Sequence, residues 1–249
     1  MSFHISGETL KKSIEKTLFS SAEGNIRPTL AGILMNLDSG NVTCASTDSF
    51  RLSEYKTSLD AQGKGSFSKI IPSKTAFEIK SIIKEDDDIK VISGDNQIAF
   101  YFGNTKVFSR LLNGSFPDYS SFFPNSFSTK AEINRIDLIQ ALKKINLISK
   151  ENNYSIKMSF SGEARILLES GESQIGEGDV RLAAAVEGED NIIGINSTYF
   201  LEVLGVIESS HISIRFENAL SPILITPLSD GEKKKSKGEF RHIIMPLKI

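Results

Sequence analysis

The chain has 249 residues, of which 39% are hydrophobic and 24% charged, and its formal net charge is −2. This composition predicts a packed globular protein rather than a disordered one, with room for one large domain or two of ordinary size. Its apolar runs are far shorter than the roughly 20 residues of a membrane-spanning helix, and its first residues do not resemble a secretory signal, so we expect a cytoplasmic protein.

Apolar residues at helical spacing predict four helices, two of which begin at a good capping residue. In chain order, the predicted helices cover residues 6–22, 73–84, 134–150 and 196–209. Ser6 and Asn134 are the expected caps, and in the second helix we expect Phe77, Ile82 and Ile83 to face the core.

Alternating and β-branched runs between the helices predict strands, and turn sequences such as DSGN and SGDN separate these strands. Examples of the predicted strands are residues 30–37, 41–46, 88–93, 97–103, 106–112, 156–161, 165–170, 211–216, 221–228 and 243–245.

These predicted elements repeat with a long period. The helix at 6–22 recurs 128 residues later and the helix at 73–84 recurs 124 residues later, each with strands of similar pattern around it. We therefore predict an α+β protein with two domains of one fold, 1–123 and 124–249. Each domain is expected to pack two helices on antiparallel β-sheet.

Basic residues concentrate on three of the predicted helices. The helices at 6–22, 73–84 and 134–150 carry net charges of +1, +2 and +3, whereas the fourth carries −2. One interpretation is a solvated helix face with ion pairs four residues apart. The other is a surface that follows a phosphate backbone by charge and shape, without reading bases. A further basic run, EKKKSKGE at 232–239, favours a solvated hairpin loop over a nucleic-acid patch.

The sequence lacks the motifs of several enzyme classes. It has no phosphate-binding glycine loop, no His-Glu-x-x-His motif and no nucleophile elbow. Its three histidines have no cysteine partner at metal-ligand spacing. The acidic run at 86–88 follows a helix, which favours a turn over a cation site, and Cys44 is expected to be a buried, inert thiol. We therefore expect a binding protein that uses no cofactor and no metal, and not an enzyme.

Four stretches occur together in an order and spacing that resemble one family. They are RPTLAGILM at 27–35, TDSFRLS at 47–53, SRLLNGSFPDY at 109–119 and HIIMPLKI at 242–249. In these stretches and in its internal repeat, the chain resembles the bacterial sliding clamp, the beta subunit of DNA polymerase III. Members of that family have three similar domains, and this chain resembles the second and third, as a form lacking the first would.

The resemblance implies a non-catalytic processivity factor of DNA replication. Family subunits close head to tail into a homodimeric ring of six domains, through which duplex DNA passes without sequence-specific contacts. A chain that lacks the first domain would be a monomer or weak oligomer in the cytoplasm, associated with the nucleoid. The resemblance implies that several basic residues face DNA, and these are Lys11, Lys12, Lys16, Arg27, Lys74, Lys80, Lys143 and Lys144.

The resemblance also implies a hydrophobic pocket at the junction of the family's second and third domains. This pocket takes short linear peptides from the replicative polymerase, the clamp loader and repair proteins. Carried over to this sequence, its residues are Leu30, Thr47, Ser49, Phe50, Arg51, Leu52, Pro117, Ser121, Phe122, Tyr199, Leu220, Pro222, Ile243, Met245, Pro246, Leu247, Lys248 and Ile249. Ser49 and Phe50 stand where the family usually has Gly-His, and Ser121 stands where a basic residue is common. The peptide preference of the pocket therefore stays open.

Two alternatives use the same domains differently. Two domains per chain could close a six-domain ring as a trimer, as eukaryotic and archaeal clamps do. The chain could also be an interaction scaffold that keeps the peptide pocket and has no role on DNA. Solution mass and charge reversal of the helix lysines distinguish these alternatives.

Overall fold

The computed structural model describes residues 1–24, 27–38, 40–59, 66–171, 176–229 and 238–248. The chain divides into two compact units. The first runs from Met1 to Asp118 and takes in Phe240, and the second begins at Tyr119 and takes in the residues from Arg241 onward. The sequence-based boundary lies a few residues further on, after residue 123.

The first unit contains two helices and antiparallel strands in two sheets. Its strands are β1 (Ser2–Ser6), β2 (Gly32–Asp38), β3 (Asn41–Thr47), β4 (Arg51–Ser58), β5 (Phe67–Pro72), β6 (Asp88–Ser93), β7 (Gln97–Phe102) and β8 (Thr105–Arg110). Its helices are α1 (Gly7–Thr17) and α2 (Ser73–Ile82). One sheet has the order β1-β6-β7-β8, and in the other the strands follow the order β4-β3-β2-β5.

The core of the first unit joins residues of both sheets and both helices into one hydrophobic cluster. Strand residues enter it alternately, as Ile33, Met35 and Leu37 of β2 do, each at most 1% exposed. Ile89 and Val91 of β6 reach the same cluster from the other sheet. Because successive side chains of a strand point to opposite faces, this spacing leaves the intervening residues for the outer surface.

The buried face of α2 differs from the predicted one. Ala76 and Ile79 are buried, as is Ile83 just after the helix, whereas Phe77 and Ile82 are 53% and 47% exposed. The prediction that Phe77 and Ile82 face the core is therefore wrong, although Ile83 does so. The buried residues recur at intervals of three and four, and each helical step turns by about 100°, which carries Phe77 away from the core.

The second unit also contains two helices and antiparallel strands. Its strands are β9 (Thr129–Asn134), β10 (Ser155–Ser161), β11 (Arg165–Ser170), β12 (Asp179–Ala183), β13 (Ala185–Gly188), β14 (Asn191–Asn196), β15 (His211–Phe216), β16 (Ile223–Pro227) and the part of β17 (Gly238–Ile244) from Arg241 onward. Its helices are α3 (Arg135–Ser149) and α4 (Ser197–Val206). The strands follow the orders β12-β11-β10-β14 and β13-β9-β15-β16-β17.

The two units repeat one another element by element. The helix α3 begins 128 residues after α1, and α4 and β14 lie 124 residues after α2 and β5 over their whole lengths. The order β12-β11-β10-β14 repeats β4-β3-β2-β5, and β9-β15-β16-β17 repeats β1-β6-β7-β8 with β13 added. A hydrogen bond outside the regular strands also recurs. The N–H of Leu112 donates to the carbonyl of Ile70, and the N–H of Leu247 donates to the carbonyl of Gly194, which lies 124 residues after Ile70. The predicted α+β fold with two repeated domains is confirmed.

The single cysteine is part of the first unit's core. Cys44 is fully buried on β3, and this burial raises the pKa of its thiol to about 12, while a hydrogen bond with Ser13 partly opposes the shift. A thiol with such a pKa carries almost no thiolate near neutral pH, so its chemistry is that of a small apolar side chain. Within the described ranges, no helix combines the length and apolar character needed to cross a membrane.

Candidate functional site

The turn between β3 and β4 is held together by its own side chains. The Oγ1 atom of Thr47 accepts the backbone N–H of Ser49 at 3.0 Å. The Oδ1 atom of Asp48 accepts the N–H groups of Phe50 at 2.9 Å and of Arg51 at 3.0 Å. Side-chain oxygens thus satisfy three successive backbone donors, which gives the turn a defined shape without a ligand.

Arg51 ties this turn to the segment that follows α1. Its Nε donates to Oδ2 of Asp48 at 2.9 Å, and its Nη2 donates to the carbonyl of Phe19 at 2.8 Å. Its guanidinium carbon lies 5.7 Å from the centroid of the Phe19 ring. Because only 9% of its side chain is exposed, Arg51 supports the turn from the protein interior.

The tip of the turn carries the two departures from the family motif. Ser49 has a backbone φ of 82°, which lies in the left-handed region that favours glycine. The Nη1 atom of Arg27 donates to the hydroxyl of Ser49 at 2.5 Å. The next residue, Phe50, is 59% exposed. The tip therefore presents an aromatic ring beside a serine in a strained backbone conformation.

The other predicted pocket residues of the first unit are mostly buried. Leu30, Thr47 and Leu52 are 4%, 6% and 1% exposed, whereas Pro117 is exposed. The buried residues give the surface its shape from inside the core. Only the exposed ones, with the tip of the turn, can touch a ligand without rearrangement.

In the second unit, exposure increases along the C-terminal segment. Ile243 is 2% exposed and pairs with Leu224 of the neighbouring strand. After β17, the N–H of Leu247 donates to the carbonyl of Gly194 at 2.8 Å and so holds the segment against the edge of β14. Ile249 lies outside the described residues. The described residues of the segment with partial or full exposure are Met245, Pro246, Leu247 and Lys248.

The remaining predicted pocket residues of the second unit lie on α4, in the 3-10 helix Ser120–Phe122 and in the connection between β15 and β16. Leu220 is 74% exposed and Phe122 is 49% exposed. Ser121 is exposed, whereas Tyr199 and Pro222 are half-buried. This unit therefore presents several apolar side chains to solvent, together with Met245, which is 40% exposed.

Most of the predicted DNA-facing residues have solvent-accessible side chains. On α3, Lys143 and Lys144 are exposed, while Leu138 and Leu142 of the same helix are buried. Arg27 and Lys74 are exposed, and the half-buried members are Lys11, Lys12 and Lys80. Most of the basic run at 232–239 lies outside the described residues.

Lys16 is the exception among these basic residues. It is only 6% exposed and lies on the side of α1 that also buries Ser13 and Thr17. Its Nζ lies 5.9 Å from the centroid of the Phe240 ring, a distance at which an ammonium group is attracted to an aromatic face. A side chain this buried does not reach a ligand outside the protein, so Lys16 is not a candidate for contact with DNA.

Two residues that organise the turn were absent from the predicted site. Asp48 could have been found, because an aspartate just before two backbone donors is typical of a side-chain-stabilised turn. Phe19 could not, since it contributes a carbonyl and a ring from a segment far along the chain.

Two domain models of one family match nearly the whole chain. The central domain of the DNA polymerase III beta subunit matches residues 4–118, and the C-terminal domain of the same subunit matches residues 120–247. The two matches follow each other in order, so the internal repeat corresponds to two successive domains of that subunit.

Individual proteins show the same similarity. The beta sliding clamp of Rickettsia bellii is 33% identical over an alignment of 261 residues, which covers 100% of this chain and 67% of that protein. The beta sliding clamp of Bacillus subtilis is 30% identical over 226 residues, which cover 90% of this chain and 60% of that protein. A crystal structure of the DNA polymerase sliding clamp from Bacillus subtilis has a TM-score of 0.91 at 27% identity and covers 100% of this chain and 64% of that one.

The chain thus spans about 60% of the length of the Bacillus subtilis relative. Its fold, its repeat and both domain matches agree over the region that it covers. The chain therefore belongs to the family of DNA polymerase III beta subunits, the bacterial sliding clamps.

Proposed function

We propose that this chain is the partner-binding and DNA-facing part of a sliding clamp, a non-catalytic processivity factor that holds duplex DNA in a ring and tethers the polymerase to it. The observation that carries the proposal is the match of both units, in order, to the central and C-terminal domains of the DNA polymerase III beta subunit.

On this proposal, contacts with DNA come from basic side chains on the helices. Lys143 and Lys144 are exposed on α3, and Lys74 is exposed at the start of α2. Lysine is a compact, hydrated point charge, so it attracts phosphates without fixing a base sequence. Salt screens such contacts strongly, which leaves them weak enough for DNA to slide past.

Partner peptides would bind to the exposed apolar side chains of the predicted pocket. These are Phe50 on the first unit and Phe122, Leu220 and Met245 on the second. Covering such side chains with the apolar anchors of a peptide releases water and is favourable. The flexible thioether of Met245 suits a site that accepts several different anchors.

The peptide site is tested with a fluorescein-labelled peptide that carries the clamp-binding motif of a bacterial replicative polymerase. We expect saturable binding to the wild-type chain and a loss of at least roughly tenfold in affinity for Met245→Asp, because the variant places a charge where apolar contact is needed. Fluorescence anisotropy measures both. The matched control is Ile136→Asp, which changes a residue on α3 that is 53% exposed and should leave the affinity unchanged.

Two results would contradict the peptide site. One is a wild-type chain that shows no saturable binding of the labelled peptide. The other is an equal loss for Met245→Asp and Ile136→Asp, which would indicate a general effect of added negative charge. Circular dichroism of each variant establishes that the comparison is made between folded proteins.

A further inference from the structure

We propose that Asp48 is a positioning residue of the peptide site, which acts by holding the turn after β3 so that Phe50 faces solvent. The role of Asp48 in binding rests on the proposed peptide-binding function, whereas its role in holding the turn does not. Asp48 itself is not among the predicted contact residues. Its carboxylate makes contacts inside the turn, and its effect on a peptide would pass through Phe50.

The carboxylate of Asp48 uses both oxygens within the turn. Oδ1 accepts the N–H groups of Phe50 and Arg51 at 2.9 and 3.0 Å, and Oδ2 accepts the Nε of Arg51 at 2.9 Å. A backbone donor that loses such a partner must find water or leave the turn conformation. The direction of the Phe50 side chain therefore depends on Asp48.

The ion pair joins this local arrangement to the rest of the first unit. The side chains of Asp48 and Arg51 are 17% and 9% exposed, so the pair is largely shielded from water. Arg51 also donates to the carbonyl of Phe19 at 2.8 Å. Removing the carboxylate leaves a guanidinium in a poorly hydrated place, which favours its reorientation and loosens the link between the turn and the Phe19 segment.

The consequence for binding is preorganisation. Phe50 is 59% exposed at the tip, and a ring that already points outward loses little conformational freedom when a peptide covers it. Ser49, at a φ of 82°, shows that the turn is held in a conformation that an unrestrained serine adopts rarely. The carboxylate of Asp48 thus stabilises a shape that the backbone of this sequence does not favour by itself.

The first readout needs no peptide. The chain contains no tryptophan, so Phe50→Trp places a unique fluorophore at the tip of the turn, excited at a wavelength that tyrosine does not absorb. We expect the anisotropy of this tryptophan to fall in Asp48→Ala and to fall less in Asp48→Asn, which keeps one acceptor oxygen but loses the ion pair. Unchanged anisotropy in both variants would overturn the positioning role, whatever the peptide does.

The second readout is a double-mutant cycle on affinity for the labelled polymerase peptide. We expect Asp48→Ala to weaken binding by roughly tenfold in the wild-type background and by less than about twofold in a Phe50→Ala background, since the lost preorganisation acts through that ring. An equal loss in both backgrounds would overturn the inference, because it would show that Asp48 acts elsewhere. If Asp48→Ala does not fold, the same cycle is run with Asp48→Asn.

The matched control is Asp179→Asn. Asp179 and Arg181 form a 3.7 Å ion pair whose side chains are 61% and 71% exposed, and we expect no change in affinity or tryptophan anisotropy when that pair is broken. A wild-type chain that fails to bind the peptide would count against the proposed function, while the anisotropy series would still decide whether Asp48 positions the turn.

Discussion

At the scale of single residues, the turn from Thr47 to Arg51 shows how side chains can impose a backbone shape. Thr47 and Asp48 accept three successive backbone N–H groups, and Ser49 adopts a φ of 82° in response. For an L-residue with a Cβ atom this conformation costs about 1 kcal/mol. The hydrogen bonds of the turn offset that cost.

We expect Ser49→Gly to stabilise the first unit by about 0.5–1 kcal/mol, because glycine removes the Cβ strain at positive φ. The gain is reduced by the lost contact from Arg27 to the serine hydroxyl, which is exposed and contributes little. Urea unfolding followed by circular dichroism measures the change.

Ser49→Ala is the matched control for this prediction. It removes the same hydroxyl but keeps the Cβ atom, so we expect a slight loss of stability, about 0.5 kcal/mol. If the alanine variant were as stable as the glycine variant, the hydroxyl contact with Arg27, and not the backbone conformation, would account for the change.

At the scale of elements, the side-chain caps of α3 and α1 differ in quality. The side chain of Asn134 accepts the N–H groups of Ile136 at 2.9 Å and Asp137 at 3.2 Å. The hydroxyl of Ser6 accepts one, that of Thr9 at 3.3 Å. Both caps were predicted from the sequence and both are confirmed, since capping depends on residues only a few positions apart.

We expect Asn134→Ala to destabilise the second unit by about 1–2 kcal/mol, and Ser6→Ala to cost the first unit less, about 0.5 kcal/mol. The two losses differ because Asn134 accepts two hydrogen bonds, whereas Ser6 accepts a single, longer one. Thermal unfolding of both variants gives the comparison. Asn134→Asp should keep most of the stability that Asn134→Ala loses, because a carboxylate accepts hydrogen bonds from the same N–H groups and is favoured at a helix N-terminus. A Ser6→Ala effect as large as that of Asn134→Ala would contradict this ranking.

Helix faces are less predictable than helix ends. The spans of α2, α3 and α4 lie within three residues of the predicted segments, whereas α1 ends at Thr17 and not at residue 22. The buried stripe of α2 excludes Phe77 and Ile82, and α1 buries Lys16. Helical periodicity identifies which residues share a face. Which face meets the rest of the protein depends on the strands and helices packed around it, and a long lysine side chain can lie along an apolar surface.

At the scale of the whole molecule, the helix lysines provide a test of DNA binding. We expect Lys143→Glu/Lys144→Glu to weaken binding of a labelled duplex and to reduce the slope of log affinity against log salt by roughly two, because each phosphate contact contributes about 0.9 to that slope. Anisotropy across a salt series measures both. The control is Lys90→Glu/Lys106→Glu, which reverses two exposed lysines on strands of the first unit. Equal losses in the two double variants would contradict a helix-lined DNA surface.

Assembly is tested by solution mass. The domain models that match the chain are the central and C-terminal ones. We expect a monomer near 27.4 kDa, or a weak oligomer. Light scattering after size exclusion measures this. A stable species of about three times that mass would instead favour a ring of three two-domain chains.

The sequence by itself determined the four helices, the caps of α1 and α3, part of the strands, the internal repeat and the family, because these depend on local periodicity and on short motifs in order. Only the tertiary structure decided which face of α2 is buried, that Lys16 is covered, and that Arg51 reaches Phe19. It also decided that Leu247 attaches to Gly194, as Leu112 attaches to Ile70. The physical reason is the range of the interactions: caps and turns are made by neighbours in the chain, whereas burial and long-range hydrogen bonds require partners that the chain brings together only by folding.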